Sequence, residues 1–403
     1  MPKELGQAGD MSSAMASWIE ANWDPSITAR EWWRRLAVAG FAMPGRPTEV
    51  GGLGLSRDET TSIRRSLLDA GCMGPPGGIG MMLAAPTILA HGTPEQIGRY
   101  VEPILHGTVG WCQLFSEPEA GSDLANIQTR AVRDGDDWII SGQKVWTSGG
   151  HLSEMGMLLA RTDPDASAHH GISWFAFEMD QPGVDIRPLR EMTGEAVFNE
   201  VFIDEARVPN DALIGPLHGG WRVTMTTLSV ERSTLGSAKI DLPAALPGAI
   251  PGRLDQPVGV VLADDKSGDD ILTVPHLGEN ELDRWIELAR SRGVHTNPVV
   301  RQGLTRLTSL VSINRWTAQR FADVPGAENL AKLAMSELFR SFREVGCAIL
   351  GAEALLACDS VDPGWNVADL TLYSPAPSIY GGTDQIQRNI IGERALGLPR
   401  EPR

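Results

Sequence analysis

Two stretches of this 403-residue chain carry residue types that could do chemistry. The first is Trp111-Cys112-Gln113-Leu114-Phe115-Ser116-Glu117-Pro118-Glu119-Ala120-Gly121-Ser122-Asp123, followed by Ile139-Ile140-Ser141-Gly142-Gln143-Lys144-Val145-Trp146-Thr147-Ser148-Gly149-Gly150. Hydroxyls and free backbone N–H groups on small residues at Ser116, Gly121 and Ser122 could approach a phosphate or a flavin edge. The second runs from Tyr380-Gly381-Gly382-Thr383 through Asp384, Gln385 and Arg388 to Arg394. Its two glycines make a turn, and Thr383 or Asp384 caps a helix with Ile386, Ile390 and Ile391 on the apolar side.

Elements that would position these residues follow from hydrophobic spacing. Trp18, Ile19, Trp23, Trp32, Trp33, Leu36 and Val38 recur at roughly helical spacing among charged residues. From about Trp111 the pattern changes to short β-rich runs, including Trp138–Ile140, Lys144–Thr147, Ile172–Phe177 and Val197–Ile203, with turn residues between them. No helical segment separates these runs, which favours an antiparallel barrel or sandwich over a parallel α/β sheet. Helical period returns after Gly219-Gly220-Trp221. It is clearest in Val300, Leu304, Leu307 and Val311, and in Leu330, Leu333, Ala334, Leu338, Phe342, Val345 and Ile349. The expected fold class is α+β: an all-α segment over 1–108, a central antiparallel β-barrel or sandwich over 109–218 and a helical segment over 219–403. A Pro/Gly-rich interruption around 242–280 excludes a continuous long helix there.

Composition narrows the class further. At 42% hydrophobic and 21% charged residues the chain is globular and long enough to bury more than one core. A formal net charge of -16 argues against a nucleic-acid duplex or an anionic membrane as main partner, since both repel an acidic protein. Cys72, Cys112, Cys347 and Cys358 form no CxxC pair and no disulfide framework, so the cytoplasm is the expected compartment. The polar N-terminus lacks a signal core, and no stretch of about 18 or more apolar residues occurs. The loop Asp264–Asp270 does not have EF-hand spacing, His169-His170 lacks a third zinc ligand, and HExxH, P-loop and GxSxG motifs are absent. No metal site is expected.

The two stretches resemble the flavin-contacting and C-terminal signatures of the acyl-CoA dehydrogenase family, with Glu119 standing where glycine is more common. Pro86–Thr93 also looks familial, so the resemblance covers about residue 15 to the end. It implies that FAD is the cofactor. Phe115 and Ser116 would line the isoalloxazine ring, Gly121 and Ser122 would meet the pyrophosphate or the CoA portion, and Trp146 and Ser148 would flank the flavin near N5. Thr383 and Gln385 would contact its ribityl-adenylate part.

Much of the family places its catalytic glutamate directly after the Tyr, where this chain has Gly381. Glycine cannot accept a proton, and removing a C–H proton alpha to a thioester requires a base. A third stretch, Thr226-Thr227-Leu228-Ser229-Val230-Glu231-Arg232-Ser233, resembles the isovaleryl- and long-chain branches that carry the glutamate on this helix. Glu231 is therefore the candidate base; its plain alternative is a solvated Glu-Arg pair on a helix surface. Arg232 matches a position where the family often keeps an arginine near the substrate, its alternative being a salt bridge. Gly381 would retain the backbone N–H that polarises the thioester oxygen, with room for a bulkier acyl group.

The implied reaction is α,β-dehydrogenation of an acyl-CoA, with electrons leaving through an electron-transferring flavoprotein. Similarity to members ending in Gly392-Glu393-Arg394-Ala395-Leu396-Gly397-Leu398-Pro399-Arg400 points to lipid, fatty acid or steroid side-chain degradation. The assembly would be a homotetramer or a heterotetramer. Two other readings stay open: a non-catalytic partner subunit of a heteromeric dehydrogenase, and a same-fold flavin oxidase or monooxygenase. The family's Arg- and Phe-Gly-containing segment has no clear counterpart after Ala238, and Arg301-Gln302 is a candidate substitute.

Overall fold

A computed structural model describes residues 8–235, 252–265, 277–319, 327–356 and 367–400. Most of the Pro/Gly-rich interruption, most of the acidic loop after Asp264 and Cys358 lie outside them. The described residues form two compact units, one made of residues 8–190, 196–227 and 252–265, the other of residues 191–195, 228–235, 277–319, 327–356 and 367–400.

The first unit begins with helices α1 (Ala8–Asn22), α2 (Ala29–Val38), α3 (Arg57–Asp69) and α4 (Ala85–His91), then the short α5 (Pro94–Gln96) and α6 (Glu102–Leu105). Local sequence starts them. Thr28 caps α2 by accepting from the Glu31 N–H, and Ser56 and Glu59 form a reciprocal capping box at α3. Trp32, Trp33, Leu36, Ile63 and Leu67 pack with Val258 and Val261 of α8 (Val258–Asp265). Both buried indoles find acceptors, Trp32 Nε1 donating to Met73 O at 2.9 Å and Trp33 Nε1 to Gly74 O at 3.1 Å. That satisfies the one polar atom each ring brings into an apolar core.

An eight-stranded sheet completes the unit: β1 (Trp111–Leu114), β2 (Arg130–Asp134), β3 (Asp137–Ser148), β4 (Met155–Arg161), β5 (Ile172–Glu178), β6 (Val184–Leu189), β7 (Phe198–Pro209) and β8 (Leu213–Ile214). Strands run in the order β6-β7-β3-β2-β4-β5-β8, with β1 beside β4. Most pairings are antiparallel, as the closely spaced runs predict, but β1 joins β4 in parallel and β2 meets β4 in parallel at one residue pair. Helix α7 (Gly220–Leu235) starts where a side chain would not fit, because a Cβ on Gly220 would stand 2.6 Å from the Ser173 backbone.

The second unit is helical: the end of α7, then α9 (Glu279–Ser291), α10 (Pro298–Gln319), α11 (Ala327–Leu350), α12 (Val367–Tyr373) and α13 (Asp384–Ile390). Its core joins Trp285, Val300, Leu307, Val311, Leu338, Phe339, Phe342, Val345 and Ile349. Helix α11 departs from its apolar pattern at one end. Leu330 is exposed, whereas Lys332 and Ser336 are fully buried. Among the described residues no helix is long and apolar enough to cross a membrane, and no cluster of His, Cys, Asp or Glu could hold a metal ion.

Candidate functional site

In the first unit the chain leaves β1 and turns tightly at Pro118-Glu119, with Glu117 and Ala120 exchanging backbone hydrogen bonds of 3.1 and 3.0 Å. A buried ion pair anchors this turn to β3. Lys144 Nζ lies 2.8 Å from Glu117 Oε1 and also donates to Phe115 O at 3.2 Å. Glu117 accepts in addition from the Thr129 N–H on Oε1 and from the Gln128 N–H on Oε2. Burial pushes the Lys144 ammonium down to about 8, against the pull of Glu117. Burial also works to raise the Glu117 carboxyl, but the Lys144 charge and these donors outweigh it and hold it below its ordinary value. A third tie links the strands, Val145 N–H to Ser116 O at 3.0 Å.

Beyond Lys144 the register of β3 on β7 shifts until Thr147, so Val145 and Trp146 form a bulge. Trp146 takes a left-handed backbone at φ 60°, and the residue is 59% exposed, its ring nearly perpendicular to that of Phe198 with centroids 5.7 Å apart. Left-handed backbone on a bulky residue costs free energy and marks a site where strain is tolerated for a reason. The neighbours alternate about it: Thr147 is fully buried and Ser148 half-buried. Ser116 is half-buried, and Gly121 and Ser122 are exposed. The Phe115 ring is 3% exposed, in the core, so only its backbone is available at the turn.

The second unit holds the other candidates. Glu231 and Arg232 lie half-buried near the end of α7. Tyr380 is half-buried and shares a 3.2 Å hydroxyl contact with Tyr373. Burial raises its phenol, and Tyr373 and the charge of Glu231 raise it further. Glu231 acts in the same way on Lys332, which burial pushes down to about 8 while Asp384 and Glu231 pull it back. Glu231, Tyr380 and Lys332 therefore share one electrostatic neighbourhood.

Gly381 and Gly382 both have left-handed backbones, at φ 62° and 83°. Gln387 Nε2 donates to Gly381 O at 2.8 Å, and among the described residues the Gly381 N–H has no hydrogen-bond acceptor. Thr383 is the N-cap of α13, its hydroxyl accepting from the Ile386 N–H at 3.3 Å. Gln385 is exposed, while Asp384 and Gln387 are buried.

Phe115, Ser116, Gly121, Ser122, Trp146 and Ser148 thus belong to one unit, and Glu231, Arg232, Gly381, Thr383 and Gln385 to the other. Sequence reading missed Lys332, Asp384 and Gln387. Lys332, Ser336 and Arg340 recur every four residues along α11, but Glu328, Glu337, Arg343 and Glu344 share that helix, so the spacing does not single Lys332 out.

The chain matches three family models end to end: Acyl-CoA dehydrogenase, N-terminal domain, over residues 10–108; Acyl-CoA dehydrogenase, middle domain, over residues 112–205; and Acyl-CoA dehydrogenase, C-terminal domain, over residues 276–396. It is 38% identical over 379 residues to the acyl-CoA dehydrogenase IpdE1 of Mycobacterium tuberculosis, covering 92% of this chain and 88% of that one. Among solved structures, a variant of the Tcur3481-Tcur3483 steroid ACAD aligns with a TM-score of 0.70 at 25% identity, covering 98% of this chain and 99% of its own. The ChsE4-ChsE5 complex from Mycobacterium tuberculosis aligns with a TM-score of 0.61 at 26% identity, covering 98% of each chain.

Proposed function

The chain belongs to the acyl-CoA dehydrogenase family, and on that premise we propose how its residues divide the oxidation of an acyl-CoA thioester. The reaction is FAD-dependent α,β-dehydrogenation. The observation that carries the residue assignment is that the position after Tyr380 is Gly381, with no carboxylate, while Glu231 on α7 is half-buried and its charge bears on the Tyr380 phenol.

The residues of the first unit fit FAD. Trp146 presents an exposed aromatic surface on a strained bulge, with the Ser148 hydroxyl two residues on. Gly121 has open space where a Cβ would stand, so backbone can approach a phosphate there. Ser116, Gly121, Ser122, Trp146 and Ser148 would hold the cofactor, with Phe115 contributing backbone. In the second unit, Thr383 and Gln385 keep the ribityl-adenylate contact that the family resemblance implies. When bound, FAD supplies the acceptor for the β hydrogen, which leaves as hydride.

Glu231 takes the α proton, its carboxylate becoming the carboxylic acid. The Gly381 N–H donates to the thioester oxygen as negative charge develops there; such a donor is commonly worth about 3 kcal/mol. Arg232, next along α7, orients the substrate. Electrons then pass to an electron-transferring flavoprotein. The missing side chain at Gly381 and the similarity to a steroid ACAD favour a bulky acyl group, as on a steroid or lipid side chain.

The test is anaerobic bleaching of the flavin across a panel of acyl-CoA thioesters, beside Glu231→Gln. Loss of bleaching in the variant supports the assignment, and equal rates overturn it. A second reading keeps one observation in its favour, since Gly381 lacks the carboxylate usual after the Tyr: the chain would be the non-catalytic half of a heteromer. A pure chain that binds no flavin would favour that reading.

A further inference from the structure

Lys332 Nζ binds one end of a loop and places its charge beside the loop's middle and other end. It donates to Pro377 O at the start, stands 5.7 Å from the centroid of the Tyr380 ring and lies 3.9 Å from Asp384 Oδ1 at the end. A weaker contact of 3.4 Å reaches Ser336 Oγ on its own helix. The side chain is fully buried in the second unit.

A buried ammonium is expensive to desolvate and is kept only where hydrogen bonds and a counter-charge surround it. The loop could be tethered without it. Ser336 Oγ also donates to Pro377 O, at 2.8 Å, and Arg340 holds Asp384 at 3.0 Å. What those two contacts do not supply is a single rigid point joining both ends to the Tyr380 ring. An ammonium can do this, because it donates to Pro377 O while its charge attracts both the Asp384 carboxylate and a ring face. Gly381 needs such bracing more than most residues. It and Gly382 have left-handed backbones and no side chains to lock them, so an aimed N–H must be held from outside the dipeptide.

We propose that Lys332 is a positioning residue: it clamps the Pro377–Asp384 loop at both ends so that the Gly381 N–H stays aimed at the substrate carbonyl. Lys332 does not touch substrate. It acts through the backbone it holds, and it lies outside the segments that resemble flavin-binding signatures. The inference rests on the proposed role of Gly381, and the experiment separates the two.

The probe is acetoacetyl-CoA, which cannot be dehydrogenated in the usual sense and whose enolate is an electron-rich donor to oxidised flavin. Its long-wavelength charge-transfer band is titrated against pH on the flavin-loaded protein, for the parent, Lys332→Met and Lys332→Arg. The enolate is stabilised by the donor on its oxygen and needs no base in the readout. In the parent the bound probe is expected to be more acidic than free acetoacetyl-CoA. Lys332→Met should lose about tenfold or more of that acidification, one unit of pKa or more, and Lys332→Arg should restore most of it. Should the Met variant not retain flavin, Lys332→Gln replaces it, keeping a donor for Pro377 O without the charge. No acidification in the parent would remove the Gly381 role itself. Acidification unchanged in the Met or Gln variant would overturn the role of Lys332 alone, as would an Arg variant no better than Met.

Discussion

Lys144 Nζ and Glu117 Oε1 lie 2.8 Å apart with both side chains closed off from water, at the crossing of the two segments that resemble flavin signatures. The pair joins the turn after β1 to the bulged end of β3, and Lys144 also holds the Phe115 carbonyl. Its geometry is therefore part of how Ser116 and Trp146 are placed.

Breaking one side of this pair leaves the other charge buried. Lys144→Met should cost about 3–5 kcal/mol of stability, read by denaturant unfolding. A loss under about 1 kcal/mol would mean that the Thr129 and Gln128 N–H groups suffice for Glu117.

The same pair sets an acid limit. Glu117 titrates lower in the folded chain than in the unfolded one. Its stabilising contribution is thus complete above the ordinary carboxylate pKa and is lost as pH falls through the folded value. In Lys144→Met, burial is no longer opposed by the ammonium, and the pH at which this contribution is lost should move up. Unfolding midpoints measured across the acid range, parent against variant, check the direction.

Glu231→Gln keeps the shape of the side chain and removes the proton acceptor. Anaerobic flavin reduction by a good acyl-CoA should slow about 10²–10⁴-fold with flavin content unchanged. Parent-like reduction would mean that the base lies elsewhere.

Trp146→Gly separates strain from function. Glycine accepts φ 60° freely, which recovers on the order of 1 kcal/mol and offsets the lost contact with Phe198. The flavin-free protein should keep its melting temperature within a few degrees. Its flavin affinity should fall about tenfold, the worth of one aromatic stack. Unchanged affinity would place the indole outside the cofactor site.

Gly381→Ala forces a methyl group onto left-handed backbone, at about 1–2 kcal/mol. Steady-state kinetics should show a larger loss of kcat/KM on bulky thioesters than on small ones. Equal losses would sink the idea that glycine makes room for the acyl group.

The order helices, sheet, helices was legible because apolar spacing changes sharply, from helical in Trp18–Leu36 to short β runs after Trp111 and back to helical in Val300–Val311. The family was legible in Glu117–Asp123, Lys144–Ser148 and Tyr380–Arg388. These are local patterns, carried by neighbours in the chain. The exposure of Trp146 was not, because it depends on a register shift between β3 and β7, whose partners lie about fifty residues apart. Nor was the interior position of the Phe115 ring.

Glu231 shows where the boundary falls. Its sequence could name it as a carboxylate on a helix and, by likeness, as a base. That its charge bears on Tyr380 depends on tertiary placement across roughly 150 residues of chain. Lys332 is the sharper case. A lysine on an amphipathic helix normally belongs in water, since its charge is costly to desolvate. Residue type and periodicity alone therefore assign it to the surface. Folding brings Pro377 O, the Tyr380 ring and Asp384 around it, and that long-range company makes burial tolerable and turns a lysine into a clamp.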